Sequence, residues 1–397
     1  MEKAIVTGLG CITGLGGNTA LFWDGLVSGR TGISPISGFS RDFLRNASAG
    51  EIRLGPDLLR RAEERNITSR IVLFADIAIE EALRDSGLSP EVLKTRKAGL
   101  VIGLSLGMSL VGESVNKTSE NANAGEETFD DVSGFAAELA GRYGIGGEAF
   151  TVSTACAAGT NAIGIARDMI VYEGYDVVIC GGSDTLDRMK YLGHSALNTL
   201  TTTSIKPFAP DHDGTIFGEG AGILVLEASR NRGARTPYAL CAGSGFSCDA
   251  NDVTAPDPRG AGAIHAMREA LRDAGLGPAD IGYINLHGSG TLLNDTAESI
   301  AIAEVFGDAA RDIPVSSIKS AIGHTMGAAG ACEAVATVLS VKHQKIPPTA
   351  GVSEKHPEYP VRLVCGRALD WKIGHALSNS FGFGGCNGTV IFSQWNG

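Results

Sequence analysis

The sequence predicts an α/β protein made of two copies of one strand-helix unit, and three observations lead to this fold class. Short apolar strands alternate with helical segments, a pattern that favours mostly parallel sheets covered by helices. A ten-residue segment recurs in the second half, which indicates an internal duplication. Each half also contains one helix that is apolar on all sides, and such a helix is buried. We therefore expect a central helical layer between two sheets.

The repeated segment is the clearest sign of duplication. Residues 81–90 read Glu-Ala-Leu-Arg-Asp-Ser-Gly-Leu-Ser-Pro, and residues 269–278 match them at eight of ten positions. In both copies Gly and then Pro follow the helical residues, which is the usual signal for the end of a helix. We therefore predict that a helix ends within each copy.

The same order of elements recurs around the two copies. Strand-like segments occupy matching places in the two halves: Ala4–Gly10 with Ala239–Gly245, and Ala98–Gly103 with Ile281–Leu286. Residues 230–237 lie between the halves and form the expected joint. We predict two domains, an N-terminal half of residues 1–235 and a C-terminal half of residues 236–397.

The two apolar helices begin in similar contexts. In the first half the strand Phe150–Thr154 precedes Cys156 and an Ala/Gly-rich helix; in the second half Pro314–Ile318 precedes Lys319 and another such helix. By this echo, the lysine loop is the counterpart of the cysteine loop. The longest apolar stretch, Ala321–Val341, contains a glutamate, a histidine and several glycines, so we expect a buried helix and no membrane span.

The charge balance excludes several classes of function. The 397 residues include 33 basic and 44 acidic side chains, for a net charge of −11. An acidic chain without a basic tract is a poor ligand for nucleic acid and for anionic membranes. The eight cysteines form no C-x-x-C pair, so we expect no metal site. The first residues enter a strand without an apolar signal segment, so we expect a cytoplasmic protein with reduced cysteines.

Cys156 is the first candidate for chemistry. It stands at a strand-to-helix turn among small residues, in Thr151–Thr160. The partial positive charge and free N–H groups of a helix N-terminus lower a thiol pKa, which would favour a nucleophile. Taken alone, a cysteine at such a position is as readily a small core residue.

Two histidines and a lysine strengthen that interpretation. His287 follows an apolar strand in a Gly-rich loop, and Lys319 and His324 precede the second buried helix. All of them, like Cys156, fall at the C-terminal ends of strands, where sites form in sheets of this type. A further glycine run, Asn379–Gly388, offers free N–H groups for an oxyanion and a mobile gate, or simply a sharp turn before the last strand.

Together these motifs resemble the β-ketoacyl-acyl-carrier-protein synthases, in their elongating Cys-His-His group. The segments that carry the resemblance are Thr154–Cys156, His287–Thr291, Lys319 with Gly323–His324, Gly327–Gly330 and Asn379–Gly385. The likeness covers essentially the whole chain, and the motifs recur in order. It implies the thiolase fold, a duplicated five-layer αβαβα sandwich with two mixed sheets.

The resemblance also implies roles for individual residues. Cys156 would attack an acyl thioester, while His287 and His324 would bind the malonyl thioester carbonyl and support decarboxylation. Lys319 matches the lysine that orients and polarises the site. Glu298 matches the acidic residue that partners this lysine.

Further positions are assigned by the same resemblance. Asp295 would be a second supporting residue beside Glu298, and the backbone N–H groups of Cys156 and Phe383 would form the oxyanion hole. Phe383 matches the family's gate between the acyl and malonyl steps. Leu106 and Met108 would shape the acyl pocket.

The activity implied is a decarboxylative Claisen condensation. A Cys-bound acyl group joins malonyl-acyl-carrier protein and gives a 3-oxoacyl product, in fatty-acid or polyketide-type elongation. The implied partners are acyl carrier protein, malonyl and acyl thioesters, and a second subunit in a homodimer or in a heterodimer with a chain-length factor. No metal or organic cofactor is implied.

Departures from the family pattern keep other interpretations open. Leu292 stands where proline commonly follows Thr291, and Cys386 stands where threonine is common. A specialised ketosynthase of a polyketide or aryl-polyene pathway is therefore an alternative. A non-catalytic chain-length factor would lack the active cysteine. A thiolase would use two catalytic cysteines, a comparison that Cys386 invites.

Overall fold

Strands and helices alternate along the chain in the computed structural model, which describes residues 2–105, 132–233 and 235–396. The strands are β1 (Ala4–Thr13), β2 (Ser34–Pro35), β3 (Ser48–Ala49), β4 (Ala98–Gly103), β5 (Ala149–Val152), β6 (Val177–Asp184), β7 (Gly220–Ala228), β8 (Ala239–Cys248), β9 (Tyr283–Asn285), β10 (Pro314–Ser316), β11 (Lys345–Ile346), β12 (Arg362–Leu363), β13 (Leu369–Asp370), β14 (His375–Phe381) and β15 (Cys386–Ser393). The helices are α1 (Thr19–Val27), α2 (Pro56–Glu64), α3 (Arg70–Ser86), α4 (Pro90–Thr95), α5 (Val132–Tyr143), α6 (Ala158–Val171), α7 (Arg188–Ala196), α8 (Ala261–Ala274), α9 (Leu292–Phe306), α10 (Lys319–Ile322) and α11 (Ala329–His343).

The strand order shows the duplication directly. The main sheet of the described residues runs β12-β10-β9-β14-β15-β8-β1-β7-β6-β4-β5. Read from the centre outwards, β1-β7-β6-β4-β5 in one half matches β8-β15-β14-β9-β10 in the other. The matched pairs are also antiparallel or parallel in the same places. The predicted α/β duplication is confirmed. The strand pairing is mixed, as the resemblance implies. The mostly parallel pairing that we expected from the alternation of strands and helices is wrong.

The two predicted sheets are joined along one edge. β1 and β8, the first strands of the two halves, pair antiparallel where Ala4–Val6 meets Ala239–Cys241. This short pairing satisfies backbone groups that an open edge would leave without partners. One continuous hydrogen-bonded sheet therefore replaces two separate ones, while each half keeps its five-strand order.

The molecule has five layers, in which the two halves of the sheet alternate with three layers of helices. α3 and α5 cover the first half on the outside, and α8 covers the second half with α9 packed against it. α6 and α11 lie between the halves and contact strands of both. In α11 every residue from Ala329 to Val341 is buried, as expected for a helix that is apolar on all sides. None of the described helices has the length and apolar composition needed to cross a membrane.

The repeated segments end their helices as predicted. α3 ends before Gly87 (φ 68°) and α8 ends before Gly275 (φ 67°). Both glycines adopt the left-handed conformation that closes a helix, which a residue with a side chain adopts at a cost. The two copies therefore share sequence, ending and place in the fold.

The two central helices begin with matching turns. Ala155–Ala157 precedes α6, and Met326–Ala328 precedes α11. The first residue of each turn has a positive φ, 50° for Ala155 and 51° for Met326. The counterpart of Cys156 is therefore Gly327. The loop that carries Lys319 leads into the second central helix as predicted, but Lys319 itself is not the residue equivalent to Cys156. The short helix α10 adds residues between β10 and the turn.

Candidate active site

A cavity of about 330 Å³ lies where strands of both halves end. Cys156 follows β5, His287 follows β9, His324 follows β10 and Phe383 follows β14, and all four line the cavity. Lys319 lies behind His287 and is itself buried. The fold thus brings together residues that are far apart in the chain, at the edge of the sheet where such sites form.

Cys156 lies in a restrained turn beneath the Gly-rich loop. The backbone N–H of Phe383 donates to its sulfur, and Gly382 packs against its backbone nitrogen. Burial raises the pKa of the thiol to about 12, although the charge of Lys319 lowers it. The expectation of a lowered pKa is therefore wrong, because desolvation outweighs the favourable charges. The sulfur is protonated at neutral pH in the free protein.

His287 is held by its backbone and by its ring. Both oxygens of Glu298 accept hydrogen bonds, from the N–H groups of His287 and Gly288, each at 2.8 Å. Lys319 Nζ lies 3.3 Å from His287 Nδ1 and donates to its carbonyl oxygen at 2.5 Å. Because an ammonium only donates, Nδ1 is the acceptor and Nε2 carries the proton.

His324 has the same tautomer for a different reason. The backbone N–H of Met326 donates to His324 Nδ1 at 3.2 Å, so Nε2 again carries the proton. The rings of His324 and His287 lie 5.3 Å apart, nearly perpendicular at 82°. Burial, followed by the charge of Lys319, lowers the pKa of both rings well below the usual value. Two neutral N–H donors therefore border one cavity.

Lys319 forms a buried ion pair with Glu333 of α11, and both side chains are only 1% exposed. Glu298, which the resemblance pairs with this lysine, instead holds the backbone of the His287 loop. Glu298 remains a supporting residue, but the carboxylate that pairs with Lys319 is that of Glu333. Burial raises the pKa of both carboxyl groups to about 7.

Asp295 supports the site from a greater distance. Its carboxylate accepts from the N–H of Phe208 at 2.9 Å and of Gly290 at 3.2 Å, and it contacts His212 Nδ1 at 3.0 Å. It therefore connects the His287 loop to the loop that follows α7. Leu106 and Met108, the expected acyl-pocket residues, lie outside the described residues.

Phe383 belongs to a row of aromatic rings. It stacks on His194, with centroids 5.1 Å apart and planes at 24°. His194 meets Phe217 edge-on at 4.5 Å, and Phe217 lies 5.9 Å from His324. Thr199 Oγ1 hydrogen-bonds His194 Nδ1 at 2.8 Å, and burial with a nearby lysine lowers the pKa of this ring to about 4.

Comparison with known families agrees with this geometry. The family model of the beta-ketoacyl synthase N-terminal domain matches residues 1–232, and that of the C-terminal domain matches residues 238–353. The chain belongs to the beta-ketoacyl synthase family. It is therefore an acyltransferase.

Relatives of this synthase match over nearly the whole chain. The 3-oxoacyl-[acyl-carrier-protein] synthase 2 of Synechocystis is 36% identical and the nodulation protein E of Rhizobium meliloti 34%, with 99% of this chain covered in each case and 98% and 99% of the relative. Among solved structures, the ishigamide ketosynthase/chain length factor superposes with a TM-score of 0.90 at 31% identity, covering both chains fully. The duplicated thiolase fold that the resemblance implies is thereby confirmed.

Two residues of this ketosynthase site are absent from the sequence-based prediction. Glu333 has a readable signal, since a single carboxylate in an otherwise apolar helix needs a buried partner. His194 has no such signal, because only the folded chain brings it under Phe383.

Proposed function

We propose that the protein joins an acyl chain on Cys156 to a malonyl thioester of acyl carrier protein, releasing CO₂ and a 3-oxoacyl thioester. One observation carries the proposal: the cysteine and two neutral Nε2–H donors border the same cavity. A covalent acyl acceptor and a site for an enolate oxygen are the two requirements of this condensation.

Acyl transfer comes first. The sulfur of Cys156 attacks the carbonyl of the acyl thioester, and the bond to the carrier sulfur breaks. The thiol proton leaves with the carrier as its new thiol, so no external base is consumed. The N–H groups of Cys156 and Phe383 stabilise the tetrahedral oxyanion, with each such donor contributing about 3 kcal/mol to the transition state.

Decarboxylation and condensation follow. The malonyl group loses CO₂, and the resulting enolate oxygen accepts from Nε2–H of His287 and of His324. The enolate carbon then attacks the acyl carbonyl and expels the Cys156 thiolate, which takes up one proton from water. Lys319 acts as a positioning residue, since its ammonium keeps Nδ1 of His287 an acceptor. Burial of the cavity protects the thioester from hydrolysis.

Phe383 is proposed to be the gate between these steps. Its N–H contacts the nucleophile and its ring stacks on His194, so a movement of Phe383 would change its contacts with both Cys156 and His194. Gly384, next to it, has a φ of 76°. Because glycine has no Cβ, it adopts such backbone conformations easily, and this freedom would allow the loop to move.

The first test is intact-mass spectrometry with a panel of acyl-carrier proteins. We expect one acyl adduct on the wild type and none on Cys156→Ala. The matched control is Cys248→Ser, because Cys248 is the exposed cysteine of the described residues and the one that non-specific acylation would reach. An adduct that survives in Cys156→Ala, or disappears in Cys248→Ser, contradicts the assignment.

The second test separates the two halves of the reaction. His287→Ala and His324→Ala should still acquire the acyl group, while release of CO₂ from malonyl-acyl-carrier protein falls by about 10²–10³-fold for each lost donor. Normal CO₂ release from either variant would remove the enolate role.

A specialised ketosynthase is the second candidate. This chain superposes on the ishigamide ketosynthase/chain length factor, and another neighbour, at 30% identity, is a ketosynthase in complex with its chain length factor. We propose that this chain also works as a dimer, either with itself or with such a partner. Condensation by the purified chain alone, together with a homodimer in native mass spectrometry, would support the homodimer. Acylation without elongation until a chain-length factor is added would support the heterodimer.

The two remaining alternatives are disfavoured by the placement of residues. A non-catalytic chain-length factor needs no nucleophile, yet Cys156 lines the same cavity as both histidines. A thiolase needs a second cysteine at the site, and Cys386 is not among the described residues that line it. We also propose a cytoplasmic location, in keeping with eight free cysteines.

A further inference from the structure

Two cysteines face each other beside the loop that carries Phe383. Cys248, the last residue of β8, is the register partner of Cys386, the first residue of β15. Residues directly opposite in an antiparallel pair present their side chains on the same face. Both sulfurs also lie near Gly384, one 3.5 Å from its carbonyl oxygen and the other 3.9 Å from the place of a Cβ.

The backbone at this pair is suited to a disulfide. The N–H of Asp249 donates to the carbonyl of Gly385 at 2.9 Å, and the carbonyl of Cys386 instead accepts from Gly382 N–H at 2.8 Å, on the side of β14 and away from Cys248. The next pair along the ladder, Cys248 with Cys386, is therefore of the non-hydrogen-bonded kind, with Cα atoms about 4.5 Å apart. Disulfides span Cα distances of about 4.4–6.8 Å, so the bond needs little backbone movement.

Access separates this pair from the other close thiols. Cys248 is exposed and Cys386 partly exposed. Cys11 and Cys332 also contact each other, but both are fully buried in the core. An oxidant in solution therefore reaches the first pair and not the second, and neither Cys248 nor Cys386 lines the catalytic cavity.

The bond would close the base of the Phe383 loop. Within that loop the N–H of Gly382 donates to the carbonyl of Cys386 at 2.8 Å, and the N–H of Gly384 donates to Val253 at 2.7 Å. These contacts already tie the loop to the segment after β8, but hydrogen bonds can open when the loop moves. A covalent link from β15 to β8 cannot.

We propose that Cys248 and Cys386 are a redox-sensitive pair, whose reversible disulfide holds the Phe383 loop in place and slows condensation. The effect on condensation rests on the proposed function of Phe383 as a gate, whereas formation of the bond does not. Disulfides in reducing compartments are typically transient and regulatory, which fits this placement.

The chemistry needs a peroxide as oxidant. The sulfur of the exposed Cys248 thiol attacks one oxygen of hydrogen peroxide and the O–O bond breaks; the thiol proton passes to the departing hydroxide, so a sulfenic acid and one water are formed. The thiol of Cys386 then attacks that sulfur, the S–O bond breaks, and a second water leaves. Two thiols are oxidised and one peroxide is reduced to two waters. A thiol reductant reverses the bond by exchange.

The first experiment asks whether the bond forms. Cys156→Ala, which lacks the nucleophile, is treated with hydrogen peroxide and its intact mass and proteolytic peptides are measured. We expect the loss of two hydrogens and a peptide pair that joins Cys248 to Cys386, reversed by dithiothreitol. The matched controls, Cys156→Ala with Cys248→Ser and Cys156→Ala with Cys386→Thr, should show no cross-link. Oxygen addition without a cross-link in the parent would overturn the proposal.

The second experiment asks what the bond does. Wild type and Cys248→Ser are first acylated on Cys156, which protects that sulfur, and are then exposed to peroxide that is removed with catalase. Malonyl-acyl-carrier protein is added, and condensation is followed in a single turnover. We expect the cross-linked wild type to slow by about tenfold or more, with recovery in dithiothreitol, and the variant to be unaffected.

The outcomes separate the two proposals. If the untreated enzyme does not acquire the acyl group, or does not carry out the condensation, the proposed function is contradicted. A cross-linked enzyme that condenses at the untreated rate would instead overturn the control by the disulfide, because the gate would not depend on this loop anchor.

Discussion

Replacing Gly382 by alanine tests the oxyanion hole through a single methyl group. A Cβ at this position would lie 2.9 Å from the nitrogen of Cys156, and 3.3 Å from both Ala155 Cβ and Ala157 N. The backbone itself tolerates alanine, because Gly382 is extended, with φ −129° and ψ 162°. The methyl therefore acts by occupying space at the N–H of the nucleophile, where the oxyanion is expected to bind.

The size of the effect follows from that contact. Removing one oxyanion donor typically lowers the rate by about 10²–10³-fold, which corresponds to about 2.7–4 kcal/mol in the transition state. Overpacking costs about 1–3 kcal/mol of folding stability, so the variant should remain folded. We expect acyl transfer to Cys156 to slow by about two to three orders of magnitude.

The assay compares two substitutions in the same loop. Intact-mass time courses follow acylation of Cys156 in wild type, Gly382→Ala and Gly384→Ala, with urea unfolding as a check on folding. Gly384 has a φ of 76°, and a Cβ there would meet only Cys386 Sγ at 3.9 Å. Alanine at Gly384 therefore strains the loop by about 1–2 kcal/mol without touching the nucleophile. Equal slowing of both variants, or acylation of Gly382→Ala within about tenfold of wild type, would refute the reasoning.

Three further predictions concern charge and pH. Because the pKa of Cys156 is about 12, its alkylation by iodoacetamide should rise about tenfold per pH unit between about pH 7 and 9, and a plateau in that range would contradict a buried thiol. The pKa of His194, about 4 in the fold against 6.5 unperturbed, means that the unfolded chain binds the extra proton. The contribution of the neutral ring to stability is then fully present above pH 6.5 and is lost as the pH falls towards 4. Between about pH 7.5 and 4.5, the free energy of unfolding of His194→Phe should therefore rise by about 2.5 kcal/mol relative to that of the wild type, as measured by urea unfolding. Identical pH profiles of the two proteins would refute this. Asp76, wholly buried between Arg61 and Arg65, should cost about 1.5–3 kcal/mol of the free energy of unfolding when changed to asparagine, since Arg65 loses this carboxylate and Arg61 keeps only Glu80. A loss below about 1 kcal/mol would show that water already screens them.

Local patterns in the sequence were sufficient for the α/β class and its duplication and for a list of candidate site residues, whereas the roles of those residues came from the family resemblance. The recurrence of residues 81–90 at 269–278 implies duplication, and the Gly that follows each helix sets its end at Gly87 and Gly275. Cys156 and its partners could be recognised because they stand directly after strands, and strand ends meet in a sheet of this type. Each of these features is written in a few adjacent residues.

Other features were decided by the tertiary structure alone. The pairing of Lys319 with Glu333, the stacking of His194 on Phe383, and the joining of the two half-sheets through β1 and β8 are contacts between distant parts of the chain. Such contacts depend on which surfaces the packed layers bring together.

The pKa of Cys156 shows the same division. Its position at the start of a helix can be read from the sequence, and that position favours a thiolate. How deeply the sulfur is buried depends on the Phe383 loop and the opposite half of the molecule, and this desolvation reverses the direction of the shift. The sequence by itself determined which residues stand at the site; the folded layers determined their partners, their protonation and the opposition of Cys248 and Cys386, because burial and long-range contact have no local pattern in the chain.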